Sequence, residues 1–293
     1  MGDEAARTSD VADDGSGASF DPWPSGADVH VEWGPTGALL AARRGDMVVI
    51  ADVLSFSTSV TEVVARNGVV FCYSPEEVDA AGGQAALAAR HDARVLSKQR
   101  RVGPGEISLS PASLGSLASG ERVVMTSLNG GRCVACAAAA PWVTIGALTN
   151  RNAVARQVEA VLAAGVAERC TIVPCAEMWS APFIASQVGD LPNIDTAAVR
   201  PSMEDQLGAG AIVDALDERL GRSVEADTAA SVFATQSADL ESALAASVSG
   251  RELVARGFAD DVAVAARLDA HAAVPSRRRD DPAHRFSAIA EGE

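Results

Sequence analysis

The stretch Asp46–Ser59, DMVVIADVLSFSTS, decides the fold. Its apolar run Met47–Ala51 follows Gly45 and is typical of a strand that is buried on both faces of a parallel sheet. Asp52 ends the run, and a segment rich in hydroxyl groups leads into a predicted helix. A carboxylate at a strand end, followed by hydroxyls at a helix start, is typical of an ion or phosphate site. Helix capping and turn formation explain the same residue types, so both interpretations stay open at this point.

Apolar runs and helical segments alternate along most of the chain. This alternation predicts an α/β fold with a largely buried parallel or mixed sheet and helices on both faces. Residues 1–25 are acidic and rich in Ser and Gly, and they predict a disordered tail. One α/β domain is expected over 26–275, with an irregular insertion near 180–200 and a charged tail over 276–293.

Charge and length limit the class of protein. The chain has 293 residues, and 39 acidic against 24 basic residues give a formal charge of -15. Such a field opposes nucleic acid and anionic membranes, and a phosphate site within it needs a metal ion or local arginines. No apolar run approaches the length of a membrane span, and the N-terminus has no signal pattern. We therefore expect a cytoplasmic protein without nucleic-acid or membrane partners, and a homodimer stays open.

The five cysteines do not predict a disulfide scaffold, because their number is odd and their spacing irregular. Cys133 and Cys136 form a lone CxxC, which supplies only half of a tetrahedral zinc site. No second pair accompanies them, so small buried residues are the better interpretation.

Two later segments repeat the pattern of polar residues at the end of an apolar run. Thr126–Arg132, TSLNGGR, follows a predicted strand, and its glycines and arginine suit either an oxyanion cradle or an ordinary turn. Glu204 and Asp205 lie in the first turn of a predicted helix that begins after Ser202. These acids can complement the helix dipole or act as ligands.

Familiar phosphatase and hydrolase motifs are absent. No cysteine has an arginine at the spacing of a cysteine-nucleophile phosphate loop, and Asp52 lacks the second acid of a DxD motif. RHD at Arg90–Asp92 lies late in a predicted helix, not at a strand end. GxSxG, HExxH and Walker A are also missing. A metal-and-arginine site without a side-chain nucleophile is what remains.

Five stretches, in the same order, resemble the pattern of the 2-phosphosulfolactate phosphatase (ComB-like) family. The similarity runs from about Val29 to Pro275. The stretches are DVLSFSTS at 52–59, TSLNGGR at 126–132, AEMW at 176–179, RPSMEDQLGAGAI at 200–212 and the segment from Ser249 to Pro275.

The resemblance implies a three-layer α/β/α fold and a magnesium-dependent phosphatase that acts on a small phosphorylated carboxylate or sulfonate. It implies Mg²⁺ as the cofactor, bound by carboxylates and waters. It also implies in-line attack by water, with the metal and a guanidinium neutralising charge on the phosphoryl oxygens. The implied catalytic residues are Asp52, Arg132 and Glu177, the substrate-binding residues are Thr58, Arg100, Asn129 and Gly130, and the metal ligands are Asp52, Glu204 and Asp205, with Glu177 a further candidate.

Several positions depart from the family pattern. Ser55 stands where the pattern has an arginine, Gln99 replaces a glutamate, and Met178 replaces another arginine, although Arg100 is kept. The alternative function is therefore a non-catalytic or altered-specificity anion-binding protein on the same scaffold.

Overall fold

The computed structural model describes residues 23, 26–103, 106–179 and 199–289. Apart from Trp23, the predicted tail 1–25 lies outside the described residues, as does 180–198 of the predicted insertion. Within the described part, no helix is long and apolar enough to cross a membrane. The expected cytoplasmic location and homodimer stay predictions.

The fold is α/β, as the alternating pattern predicts. Ten strands form one mixed sheet in the order β1-β8-β2-β7-β11-β12-β3-β6-β4-β5, and β9 and β10 form a separate antiparallel pair. The strands are β1 Val29–Val31, β2 Met47–Ala51, β3 Val69–Tyr73, β4 Arg94–Ser97, β5 Ile107–Ser108, β6 Arg122–Thr126, β7 Trp142–Gly146, β8 Cys170–Pro174, β9 Glu177–Met178, β10 Val199–Arg200, β11 Pro275–Arg278 and β12 Arg285–Ala288.

Helices cover both faces of the sheet. They are α1 Gly34–Arg44, α2 Phe56–Val64, α3 Pro75–Ala80, α4 Gln84–His91, α5 Gly130–Cys136, α6 Arg151–Ala163, α7 Met203–Ala215, α8 Val224–Gln236, α9 Leu240–Ala246, α10 Val248–Ala255 and α11 Ala259–Ala265. Short 3₁₀ turns lie at Pro111–Ser116, Leu148–Asn150 and Ser237–Asp239.

Strand β2 shows how the layers form. Its side chains alternate between the two faces of the sheet, as they do in any strand. Val48 and Ile50 pack in the core that contains α1, α2 and α5, whereas Met47 and Val49 pack in the core that contains α6, α7 and α8. All four side chains are fully buried, which explains the continuous apolar run in the sequence.

The prediction of a charged tail over 276–293 is wrong for the residues up to Ala288. This segment supplies two strands to the middle of the sheet. Strand β11 pairs antiparallel with β7, and β12 pairs antiparallel with β3. The hairpin therefore joins two groups of parallel strands. Arg277 lies within the hairpin, has no exposed surface and donates to the carbonyl of Ala137 at 2.9 Å. The charge of this residue therefore did not mean that it is exposed to solvent.

The sequence predicts one helix from Ser74 to His91, whereas the structure contains two. Ser74 caps α3 through a capping box with Glu77, as its position suggests. Gly82 and Gly83 then adopt φ values of 83° and 106°, which end the first helix. The break lets α4 pack Leu87 and Ala88 onto the face of β3 and β6 that carries Phe71 and Val124.

Candidate active site

Three strand ends meet in space. Asp52 follows β2, Asn129 and Gly130 follow β6, and Glu177 follows β8. The Gly130 N–H donates to Asp52 Oδ2 at 3.0 Å, and Asn129 Nδ2 donates to Glu177 Oε1 at 3.0 Å. The structure thus brings these four residues together, although Asp52 and Glu177 are about 125 positions apart in the sequence.

The glycines of the TSLNGGR stretch allow this close approach. A Cβ on Gly130 would lie 2.3 Å from the ring of Phe56, and one on Gly131 would lie 2.3 Å from the carbonyl oxygen of Tyr73. Any larger residue would push α5 away from α2 and β3. The Gly130 N–H could then no longer reach the carboxylate of Asp52.

Asp205, in the first turn of α7, binds the loops together. Its carboxylate accepts from the N–H of Val53 at 2.8 Å, the N–H of Ala176 at 3.0 Å and the hydroxyl of Ser202 at 2.7 Å. Burial, together with the charges of Asp52 and Glu204, raises the pKa of Asp205 well above its ordinary value. Because three donors already occupy this carboxylate, it links the segments after β2 and β8. It is therefore poorly suited to bind a metal ion, the role that the resemblance implies for Asp205.

Its neighbour Glu204 differs from Asp205 in the hydrogen bonding of its carboxylate. The side chain is buried, and no hydrogen bond or ion pair to its carboxylate is found among the described residues. Its charge acts on both Asp52 and Asp205. With no protein donor among the described residues, its oxygens are open to water or to a bound cation.

Asp52, Glu177, Glu204 and Asp205 form a cluster of negative charge. Burial, then the charge of Glu177, and then that of Glu204 raise the pKa of Asp52 to about 7, against hydrogen bonds from the backbone of Gly130 and Phe56. Within the described part of the chain, none of these acids forms an ion pair with a lysine or arginine. The cluster therefore favours a bound cation electrostatically.

The donor set fits a hard cation such as Mg²⁺. Magnesium is usually held by one or two carboxylates, with waters and substrate phosphate completing the octahedron. Asp52 and Glu204 supply such carboxylates. No three His, Cys, Asp or Glu side chains of the described residues are arranged as a ready-made metal cage, so the fit is to a largely hydrated ion.

Two candidate substrate contacts are engaged with the protein itself. Thr58 is fully buried and donates its hydroxyl to the carbonyl of Val53 at 2.8 Å, so it stabilises the Asp52 loop. Arg132 donates from Nε to Glu76 at 3.1 Å, and its Nη1 lies 2.9 Å from the sulfur of Met178. Its guanidinium is thus engaged by Glu76 and Met178. The hydrogen bond from Arg132 lowers the pKa of Glu76 to about 2.

Arg100 lies on the other side of the Asp52 loop. It donates to Ser55 Oγ at 2.8 Å and forms an ion pair with Asp261 at 2.5 Å. Sequence reasoning missed Asp261 and Glu76 as partners of the candidate arginines. Asp261 falls in the last of the five matching stretches, which was the available signal, whereas Glu76 gave only the signal of a helix start.

One known protein family matches the part of the chain that holds these residues. A sequence model of the 2-phosphosulpholactate phosphatase family matches residues 38–280. The chain belongs to this family. A curated relative from Gloeobacter violaceus, named probable 2-phosphosulfolactate phosphatase, is 28% identical over 247 residues, which is 82% of this chain and 92% of the relative. Membership in this family of phosphatases makes the chain a hydrolase by class.

The family match extends into the region that the sequence predicts to be a tail. It continues past β11 to residue 280, so the first strand of the C-terminal hairpin is part of the family domain. All of the candidate site residues, from Asp52 to Asp205, lie inside the matched range.

Proposed function

We propose that this protein is a magnesium-dependent phosphomonoesterase that hydrolyses 2-phosphosulfolactate or a closely similar small acidic phosphate ester. One observation carries the proposal: the carboxylates of Asp52 and Glu204 are buried close enough for the charge of Glu204 to act on Asp52, and neither is paired with a protein cation in the described part of the chain. The family match and the name of the relative from Gloeobacter violaceus support the substrate class.

Asp52 is the residue best suited to move a proton. Without a bound metal the pKa of Asp52 is about 7, and bound Mg²⁺ would lower it. The ionised carboxylate can take up the proton of a water molecule that attacks phosphorus, and solvent can supply a proton to the departing alcohol oxygen on the opposite side. The Gly130 N–H holds the carboxylate in place at 3.0 Å. Bound Mg²⁺ would supply charge neutralisation on the phosphoryl oxygens, with Asp52 and Glu204 as the residues that hold it.

Glu177 and Arg132 are the other candidate groups of the site. Asn129 orients the carboxylate of Glu177, and Arg132 contacts the side chain of the following residue, Met178. If Glu76 releases it, the guanidinium of Arg132 can bind two oxygens of a phosphate group. The sum of the reaction is a phosphate monoester plus water giving an alcohol plus inorganic phosphate.

The test is phosphate release by the purified protein from 2-phosphosulfolactate and a panel of other small phosphate esters, with Mg²⁺ and with EDTA. We expect turnover of acidic esters that stops in EDTA and falls at least ~100-fold in Asp52→Asn, in keeping with a lost general base. Absence of turnover on every ester by folded, Mg²⁺-loaded protein would refute the proposal.

The second candidate function is anion binding without hydrolysis. The substitutions at Ser55, Gln99 and Met178 favour it, because they alter polar or charged positions of the family pattern while Arg100 is kept as a cation that can bind an anion. The ion pair of Arg132 with Glu76 also withdraws a guanidinium that would neutralise charge during phosphoryl transfer. Calorimetry distinguishes the two functions: binding of 2-phosphosulfolactate without release of phosphate supports this candidate, and metal-dependent release excludes it.

A further inference from the structure

Asp261 is a buried carboxylate that joins three separate segments to the Asp52 loop. Its side chain is 1% exposed and lies in the first turn of α11. It accepts from Arg100 at 2.5 Å, from the Ser110 hydroxyl, and from the N–H of Ala112 at 3.2 Å. Such a set of donors fixes the position of a carboxylate and also that of the charged group bound to it.

The group that Asp261 holds is the guanidinium of Arg100. Nη1 donates to Asp261, and Nη2 donates to Ser55 Oγ at 2.8 Å. Ser55 stands at the N-cap of α2, only three residues after Asp52, and its side chain does not cap that helix. Its hydroxyl is therefore free to accept from Arg100, and the guanidinium lies directly against the loop that carries the catalytic carboxylate.

Arg100 keeps spare binding capacity in this position. A guanidinium has five N–H donors, and the two described hydrogen bonds use only two of them. The side chain is 15% exposed, so part of it faces solvent. A long arginine side chain loses little further freedom on binding when two partners already hold it.

We propose that Asp261 is a positioning residue, which holds Arg100 so that its spare donors bind a second anionic group of the substrate besides the phosphoryl group, that is, its carboxylate or sulfonate. The inference rests on the proposed function and assigns the phosphoryl group and a second anionic group of the substrate to different places. The phosphoryl group lies toward Asp52, Glu177 and Arg132, and the second anion lies toward Ser55 and Arg100.

The test separates positioning from ordinary stabilisation. Arg100→Gln, Asp261→Asn and the double variant are compared with Asp46→Asn, each as the full chain with Mg²⁺. Asp46 is the matched control, because it is equally buried and accepts from Arg44, Arg169 and Thr171 at the opposite end of β2. Steady-state kinetics are measured on 2-phosphosulfolactate and on para-nitrophenyl phosphate, which has no second anionic group.

We expect Arg100→Gln and Asp261→Asn each to raise the KM for 2-phosphosulfolactate about 10-fold to 100-fold, the effect of one lost charge-assisted hydrogen bond. The kcat on this substrate, and kcat/KM on para-nitrophenyl phosphate, should change by no more than about twofold. The double variant should match Arg100→Gln alone, because Asp261 acts through Arg100. Asp46→Asn should lower the melting temperature and leave both substrates unaffected.

Two results would overturn the inference. One is an Asp261→Asn enzyme whose KM for 2-phosphosulfolactate equals that of Asp46→Asn, and the other is an equal loss on both substrates. If Asp261→Asn does not fold, Ser110→Ala decides, since it removes one hydrogen bond to Asp261 and leaves both charges; a smaller rise in the same KM is expected, and an unchanged KM contradicts the inference.

Failure of the proposed function would look different. Wild-type protein would then release no phosphate from either ester, and calorimetry with 3-sulfolactate would decide the inference on its own. Binding by the wild type that weakens at least about 10-fold in Arg100→Gln and Asp261→Asn supports it. Equal binding by all variants, or no binding by the wild type, overturns it.

Discussion

At the scale of single residues, two adjacent acids have opposite roles. Glu204 and Asp205 are alike in charge and lie in the same helical turn, yet Asp205 accepts from three donors and Glu204 from none among the described residues. The difference arises from which side of α7 faces the loops after β2 and β8. A sequence cannot distinguish these roles, because the donors are backbone N–H groups of Val53 and Ala176, which any residue would supply.

Asp205→Ala should destabilise the fold through those N–H groups. Each buried N–H left without an acceptor costs about 1–3 kcal/mol, so the loss should exceed that of an ordinary surface change. Urea unfolding of the folded variant measures it. Asp214→Ala is the control, since it removes only a partly exposed ion pair with Arg151 and should cost at most about 1 kcal/mol. Equal losses in the two variants would show that Asp205 does not hold the loops.

The candidate arginines show what residue patterns could and could not predict. The resemblance predicted that the turn with Asn129 and Gly130 belongs to the same site as Asp52, and the hydrogen bond from the Gly130 N–H to Asp52 brings this turn and Asp52 together. The pairing of Arg132 with Glu76 did not follow, because Glu76 comes from a helix after a different strand. Contacts between distant segments depend on the packing of whole elements, which local spacing does not encode.

At the scale of elements, α7 is held close to its neighbours by glycines. A Cβ on Gly208 would lie 2.5 Å from the side chain of Val53, and one on Gly210 would lie 2.0 Å from the carbonyl oxygen of Ala229 in α8. The glycines of GAGAI therefore let α7 reach both the Asp52 loop and α8. Their presence was visible in the sequence, but their partners were not.

Gly210→Ala should force α7 away from α8. Because the blocking atom belongs to the backbone, the strain cannot be relieved by a rotamer change, and we expect a loss of about 1–3 kcal/mol. Thermal and urea unfolding measure the change in stability. Gly115→Ala adds the same methyl group where its nearest neighbour is the end of Arg66 at 3.9 Å, and its stability should be nearly unchanged. A Gly210→Ala protein as stable as Gly115→Ala would contradict this packing.

At the scale of the whole molecule, the α/β class and the buried strand β2 were predictable, and the C-terminal hairpin was not. Continuous apolar runs identify strands that are buried on both faces. In β2, Val48 and Val49 pack on opposite faces of the sheet. Strands β11 and β12 contain PSRR and RFSA, in which polar residues hide the pattern. Ser276 is nevertheless buried and bonded to Gln157 at 2.7 Å, so hydrogen bonds replace apolar contacts at this position.

Truncation after Val274 should prevent folding, because it removes the strands between β7 and β3 and leaves both with unpaired edges. Solubility, circular dichroism and hydrodynamic radius measure the outcome. Truncation after Ile289 is the control, since it keeps both strands and should preserve the melting temperature. Soluble, cooperatively folding protein from the shorter chain would show that the hairpin is dispensable.

The most direct measurement of the central claim is the Mg²⁺ dependence of phosphate release from 2-phosphosulfolactate by the wild type, Glu204→Gln and Glu62→Gln. Glu62 is the control, a buried carboxylate that pairs with His271. We predict that the wild type and Glu62→Gln share one Mg²⁺ dependence, and that Glu204→Gln needs at least ~10-fold more Mg²⁺ for half-maximal rate, the effect of one lost charged ligand. Full wild-type activity in EDTA, or an unchanged Mg²⁺ requirement in Glu204→Gln, would contradict a metal site at these carboxylates.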